Sequence, residues 1–392
     1  MRSGNALAKR LFASYPEYKV EHLRPDGCKH GAITTELQKV VGESNGLFTL
    51  EEAGTSLEGR RISLLMCGKG QTRILFWSQM HGDESTATLA LMDIFRFLSR
   101  NRSLDDLLTR TTLCFLPMLN PDGAERVQRH SAAGIDIDRD ARSLSTPEAR
   151  ILRQLQRKFK PQFGFNLHDQ ELSGVGPTPD VAALALLAPA DHAKRKDSAV
   201  RNRAKQVAAY IAASLTPFAA GHVATYDDAY EPRAFGDNMQ AWGTSTVLIE
   251  SGHWPNDPEK NFVRQLNFVA LLGAISAIAT RSYRKVRMEH YTNLKKNGKR
   301  IYDIVVHGVT LQHESGWKER ADIGLTIDPR LNRSSHFNQR PVVTVREIGD
   351  LSGFGSLREV DGKGAIINSN TIVPDQILPL QELLDRTHTS LG

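Results

Sequence analysis

The sequence predicts an α/β fold, with a mixed, mostly parallel central sheet covered by helices and a small β-rich C-terminal domain. Three observations carry this. Short apolar runs alternate with helix-length amphipathic stretches from about residue 47 to 280, which implies parallel strands joined by helical crossovers. The character then changes to β-rich text such as "IYDIVVHGVTLQ" and "PVVTVREIGD". Finally, 392 residues exceed the usual size of a single core, so one large domain with a smaller companion is expected. The expected division is an N-terminal extension (1–45), a main domain (46–283), and a basic linker with the β-rich domain (284–392).

Residues 1–45 read as irregular and short helical material around Pro16 and Pro25. "RRISLLMC" (60–67) and "RILFWSQM" (73–80) flank a "GKGQ" turn and predict a hairpin. "ESTATLALMDIFRFLS" (84–99) places Leu91, Ile94, Phe95 and Leu98 on one helical face. A strand over 111–119 ends in "NPDG", and Thr146 with Pro147 starts a helix over 146–159 as N-cap and first-turn proline. The strand "FGFNL" (163–167), a Gly/Pro-rich loop, the apolar run 181–189 and a helix over about 198–215 follow. The strand "STVLIE" (245–250) and an apolar helix over 262–280 close the series. That last helix carries Arg264, Gln265 and Asn267 near its start; the apolar remainder is too short to span a bilayer and reads as core.

A hydrophobic content of 40% with 24% charged residues is ordinary for a globular protein. The formal charge of +6 falls short of the dense basic stripe of a nucleic-acid binder. The basic run 281–300 lacks an aromatic stacking platform and reads as a solvated linker. Cys28, Cys67 and Cys114 are scattered, which suggests reduced thiols in a cytoplasmic setting. No apolar signal segment opens the chain, and neither a membrane nor a nucleic-acid partner is expected.

Polar groups gather at strand ends. "FWSQM" leads to His81 and Glu84, "FLPML" to Asn120–Pro121–Asp122–Gly123, "FGFNL" to His168–Asp169, and "TVLI" to Glu250. In open α/β sheets ligands bind outside the carboxyl ends of the strands, so these groups are expected at one edge although they span 170 residues of sequence. Two imidazoles and a carboxylate suit one Zn²⁺ with an open fourth position. Glu250 is then free to move protons in amide hydrolysis, with a cationic donor expected near the oxyanion.

The segment 54–280 resembles the zinc carboxypeptidase family, including the murein peptide amidases. The resemblance rests on "GTSLEGRRI", "HGDE", "NPDG", "RHSAAGIDIDRD", "LHD" and "LIESG" in that order. It implies that His81, Glu84 and His168 bind zinc, that Glu250 is the catalytic carboxylate, and that Arg129 polarises the scissile carbonyl. It also implies that Asp136 orients His81 from behind. Where the family has an Asn-Arg pair for the substrate carboxylate, this chain has Asp138–Arg139. Arg139 retains bidentate capacity; Asp138 would repel a carboxylate or engage Arg139. A substrate end that also carries a cation is therefore expected. Tyr226 and Tyr230 are both candidates for the family's mobile tyrosine, and Asp237, Asn238 and Arg233 for pocket lining. The implied activity is a metallocarboxypeptidase acting on a peptide or peptide-like substrate. The alternatives are a murein peptide amidase, an N-acyl-amino-acid deacylase of the aspartoacylase or succinylglutamate desuccinylase kind, and a non-catalytic binder on the same scaffold.

Overall fold

The computed structural model describes residues 2–327 and 341–387. In chain order the elements are α1 (Arg2–Tyr18), α2 (His30–Glu43), β1 (Phe48–Thr55), β2 (Arg61–Gly68), β3 (Thr72–Ser78), α3 (Thr86–Arg100), α4 (Asp105–Arg110), β4 (Thr111–Leu116), α5 (Pro121–Arg126), α6 (Pro147–Phe159), β5 (Phe163–Asp169), β6 (Gly174–Val175), β7 (Leu184–Leu187) and α7 (Ala199–Ala219). They continue with β8 (Val223–Thr225), α8 (Phe235–Ala241), β9 (Ser245–Ser251), α9 (Asn261–Ala279), α10 (Glu289–Thr292), β10 (Asn297–Gly298), β11 (Ile301–Gln312), β12 (Lys318–Ile327), β13 (Val342–Gly349), β14 (Gly355–Asp361), β15 (Ile366–Asn368), β16 (Ile377–Pro379) and α11 (Leu380–Thr387).

These divide into two compact units. The first comprises Met1–Gln170, Ala183–Gly252 and Glu259–Lys296; the second comprises Glu171–Ala182, His253–Pro258 and Asn297–Gly392. The first unit holds an eight-stranded sheet in the order β1-β2-β4-β3-β5-β9-β7-β8. Its centre, β4-β3-β5-β9, is parallel throughout, so the carboxyl ends of four adjacent strands share one edge, as the strand-end polar groups require.

Alternation along these strands sorts the core into two layers. Leu75 and Trp77 with Cys114 and Leu116 face Ala149 and Leu152 of α6 and Phe235 and Met239 of α8. On the opposite face Phe76 stacks between Phe115 and Phe165 at centroid distances of 4.6 and 4.8 Å, and Phe95 of α3 meets Phe115 edge-on at 4.9 Å. Helix α9 packs against α1, α3 and α7 on this side. It is the one described helix long and apolar enough to cross a membrane, yet 78% of its apolar window is buried, in keeping with the expected core helix.

Two expectations are corrected. The expected hairpin 60–80 does not form, because β4 lies between β2 and β3. The "GKGQ" turn runs against the start of β4, so closely that a Cβ on Gly70 would stand 1.8 Å from the Arg110 carbonyl carbon; only glycine admits that approach. Nor is the N-terminal segment irregular. Helix α1 buries Ala8, Leu11, Tyr15 and Tyr18, a 3–4 spacing that marks one helical face, and Pro16 is tolerated in its last turn. The segment before Lys296 also packs in the first unit, where the Ala188 N–H donates to the hydroxyl of buried Tyr291 at 3.0 Å. Compact folding of the first unit thus extends on both sides of the expected 46–283.

The second unit is built on a six-stranded sheet in the order β14-β11-β12-β13-β16, with β15 beside β11. Ile304, Val306, Ile323, Leu325, Val343 and Val345 form its core with Leu380, Leu383 and Leu384 of α11. The β-rich C-terminal character and the late return of helical periodicity are both present.

Candidate metal centre

The site grows from the strand ends. After β3 the backbone turns through Gln79, a non-glycine residue at φ 51°, whose side-chain amide donates to the Gly82 carbonyl at 2.9 Å. Gly82 lies so close to the "NPDG" turn that a Cβ there would stand 2.0 Å from the Gly123 carbonyl carbon. Asn120, fully buried at the end of β4, accepts from the Gly123 N–H and donates to the carbonyls of Met80 and His130 at 3.2 Å. The turn therefore binds the start of the 80–84 loop to the 129–130 segment through one asparagine.

His81, Glu84 and His168 converge. His81 Nδ1 lies 2.7 Å from Glu84 Oε1, His168 Nδ1 lies 2.7 Å from Glu84 Oε2, and the two ring nitrogens are 3.2 Å apart. All three residues are buried. Nitrogens bound to zinc at ~2.0–2.1 Å with a tetrahedral angle lie about 3.3–3.4 Å apart, so this donor set fits a single ion. The electrostatics agree. Burial works against a charged His81, but Glu84 and Asp136 raise it to about 10. Burial would raise Glu84, yet both imidazoles pull it well below the carboxylate range. The cluster holds protons where it would hold a cation.

Behind His81, Nε2 meets Asp136 Oδ1 at 3.0 Å, the kind of contact by which a carboxylate can orient an imidazole. Arg129 donates to Glu84 Oε1 at 3.2 Å and to Asp136 Oδ2 from Nε at 3.2 Å and Nη2 at 3.1 Å. Its guanidinium is engaged by two site carboxylates. Glu250 pairs in register with His168 on the parallel strands β9 and β5. Burial pushes its carboxyl up to about 7, with Glu84 adding to the rise and the imidazoles opposing it.

Asp138 and Arg139 follow on the short helical turn Ile137–Asp140. Arg139 donates to Asp138 and approaches Glu231 at 4.0 Å. The other oxygen of Asp138 is buried without a partner. Asp237 accepts from the Glu231 N–H at 3.3 Å; burial first, and Asp138 beside it, push its carboxyl to about 7. Asn238 turns its amide onto the carbonyls of Pro232 and Ala234, and Arg233 is clamped to Glu231, so both serve their own loop. Tyr226 is 38% exposed; burial and then Glu250 push its hydroxyl to about 12. Tyr230 is half-buried.

Residues 33–144 match the zinc carboxypeptidase family model. This is the family that the motifs resemble, and the matched segment contains His81, Glu84, Arg129, Asp136, Asp138 and Arg139. A carboxypeptidase 2 from Trichophyton rubrum is 26% identical over 141 residues, 33% of this chain and 26% of that protein. The carboxypeptidase N catalytic chain of Homo sapiens is 25% identical over 30% of this chain and 31% of its own length. The chain thus spans under a third of the length of these relatives. Carboxypeptidase A from Helicoverpa armigera shares the fold, with a TM-score of 0.50 at 16% identity over 71% of this chain and 80% of that one. His168 and Glu250 lie beyond the segment matched to the zinc carboxypeptidase model; the sheet alone brings them to the others.

Motif reading missed two neighbours of the cluster, Thr86 and Lys260, and gave no role to Asp169. Lys260 sits in the loop before α9 with no pattern to mark it, and its contact with Asp169 spans 91 positions.

Proposed function

We propose that the chain is a zinc-dependent hydrolase that cleaves an amide bond at or near the C-terminus of a peptide or peptide-like substrate. The observation that carries this is the convergence of His81, Glu84 and His168, with Asp136 behind His81 and Glu250 in register beside His168. Zinc held by those three side chains supplies Lewis acidity at the edge of the sheet. Glu250 takes a proton from the attacking water and returns it to the leaving nitrogen, the work of a carboxyl in register beside a ligand. Arg129, beside Glu84, offers its guanidinium to the developing oxyanion. Asp136 holds the His81 ring. Zinc analysis is expected to find about one ion per chain, lost in His168→Ala, and cleavage of defined peptides is expected to stop when a chelator strips it. Cleavage that persists in the zinc-free protein would overturn the reading.

The Asp138–Arg139 contact favours one substrate feature. With Asp138 on its guanidinium, Arg139 is partly neutralised as a carboxylate clamp, so a leaving residue that also bears an amine suits the pocket better than a simple free acid. This also keeps the muropeptide-amidase reading in play. Asp138→Asn is expected to shift the preference toward plain free-acid ends by roughly tenfold, measured as kcat/KM ratios on free-acid, amidated and amine-bearing ends. Identical ratios in both proteins would remove Asp138 from the account.

A further inference from the structure

The three donors and Glu250 come from three separate segments: the 81–84 loop, the end of β5 and the end of β9. Their mutual distances hold only if those segments are fastened to each other. Asp169 touches the first through two groups. Its Oδ2 accepts from Thr86 Oγ1 at 2.5 Å, and its backbone N–H donates to Glu84 Oε2 at 3.1 Å. It is itself the residue after His168. Lys260 brings in the third segment: its Nζ lies 3.3 Å from Asp169 Oδ2 and 3.5 Å from the carbonyl of Ser251, the residue after Glu250.

The pair is sheltered, with side chains 12% and 17% exposed for Asp169 and Lys260. Lys260 stands at φ 54° immediately before α9, a left-handed state that a lysine keeps only where its surroundings impose it. The same helix reinforces the junction, since Asn267 Nδ2 donates to Ser251 Oγ at 3.0 Å. Lys260 also supplies the positive charge that offsets Asp169, whose carboxylate would otherwise stand beside Glu84 uncompensated.

Resting on the metal-centre reading above, we propose that Asp169 and Lys260 are positioning residues, a clasp that sets the spacing of the three ligand-bearing segments and thereby the affinity for zinc. Neither touches the ion. Asp169 acts through Glu84 and Thr86, and Lys260 acts through Asp169 and Ser251.

The test is zinc affinity, measured by competition against a chromophoric chelator on the full chain, with circular dichroism to confirm folding. Lys260→Met and Asp169→Asn are each expected to weaken zinc binding by about tenfold, the low end of the range for losing a ligand's own outer partner, because both keep the backbone N–H on Glu84 and loosen only the fastening between segments. Lys260→Arg, which restores the charge, is expected to recover most of that loss, as simple destabilisation would not. The double variant is expected to bind no more weakly than the weaker single one, because the two act as a unit. Thr86→Val probes the same junction from the loop side with a smaller change, so the proposal stands or falls even where a charge variant does not fold. Folded variants that bind zinc within about threefold of wild type would overturn the clasp while leaving the metal centre intact. A wild type that binds no zinc would overturn the centre and the clasp with it.

Discussion

Glu250→Gln is expected to lower kcat by about 10²–10⁴-fold, the range for loss of a positioned general base and acid, while zinc content stays at the wild-type level. Glu250 is absent from the His81–Glu84–His168 donor group, and Gln preserves its shape on β9, so binding and chemistry should separate. A variant that keeps half of wild-type kcat would remove Glu250 from the proton-transfer role. The same substitution has an opposite effect on stability. Burial lifts Glu250 from 4.5 to about 7 in the folded protein, so below pH 4.5 the carboxyl is protonated in both states and costs nothing. Between those values the folded state binds the extra proton, and stability falls as pH rises. Above neutrality the full cost is present. Metal-free Glu250→Gln is therefore expected to resist urea better than metal-free wild type at pH 8, by an amount on the order of 1–3 kcal/mol, and to match it near pH 4. Equal stability at both pH values would contradict the strained carboxylate. The expectation is a trade of stability for activity at one position.

Arg264→Met is expected to be the most destabilising single change far from the site. Asp93 is fully buried and Arg264 is 2% exposed; Arg264 donates from Nε to Oδ2 at 2.6 Å and from Nη2 to Oδ1 at 2.5 Å. The Tyr15 hydroxyl and the Val20 N–H also donate to Asp93, at 3.0 and 2.8 Å, and Arg264 Nη1 reaches the Leu23 carbonyl at 2.8 Å. One ion pair thus ties α3 and α9 to the chain leaving α1. Removing the cation leaves a buried charge without its partner and is expected to cost about 3–5 kcal/mol. Pairing Arg264→Met with Asp93→Leu is expected to recover a good part of that, because an apolar pair leaves no uncompensated charge. Denaturant melts report the energies, and limited proteolysis reports whether residues before about 28 detach first. A single variant as stable as wild type would show that the network carries no net stability.

Much of the site was legible because its chemistry is local. "HGDE", "LHD" and "LIESG" each announce a polar group at the end of an apolar run, and the α/β pattern itself says that such ends meet. Thr146 does cap α6, accepting from the Ala149 N–H at 3.2 Å. The departures share a cause as well. Strand order depends on partners distant in sequence, so a turn between two strands says nothing of β4 entering between them. Helix α1 earns its regularity from burial against α9, whose residues lie some 250 positions away. Arg129 enters the site only through the family resemblance, since by itself it reads as a surface charge, and its grip on Glu84 and Asp136 follows from Asn120 gathering two loops.

The amino-acid order alone therefore determined which donor types are present, which strand ends carry them and that they share an edge, since side-chain chemistry and hydrophobic period are properties of short windows. Only the folded chain decided the strand order, the seat of the N-terminal helices and the Asp169–Lys260 clasp. Such pairings join side chains far apart in sequence, 171 positions in the case of Arg264 with Asp93. Their energies come from burial and from charge brought together by packing, which no short window records.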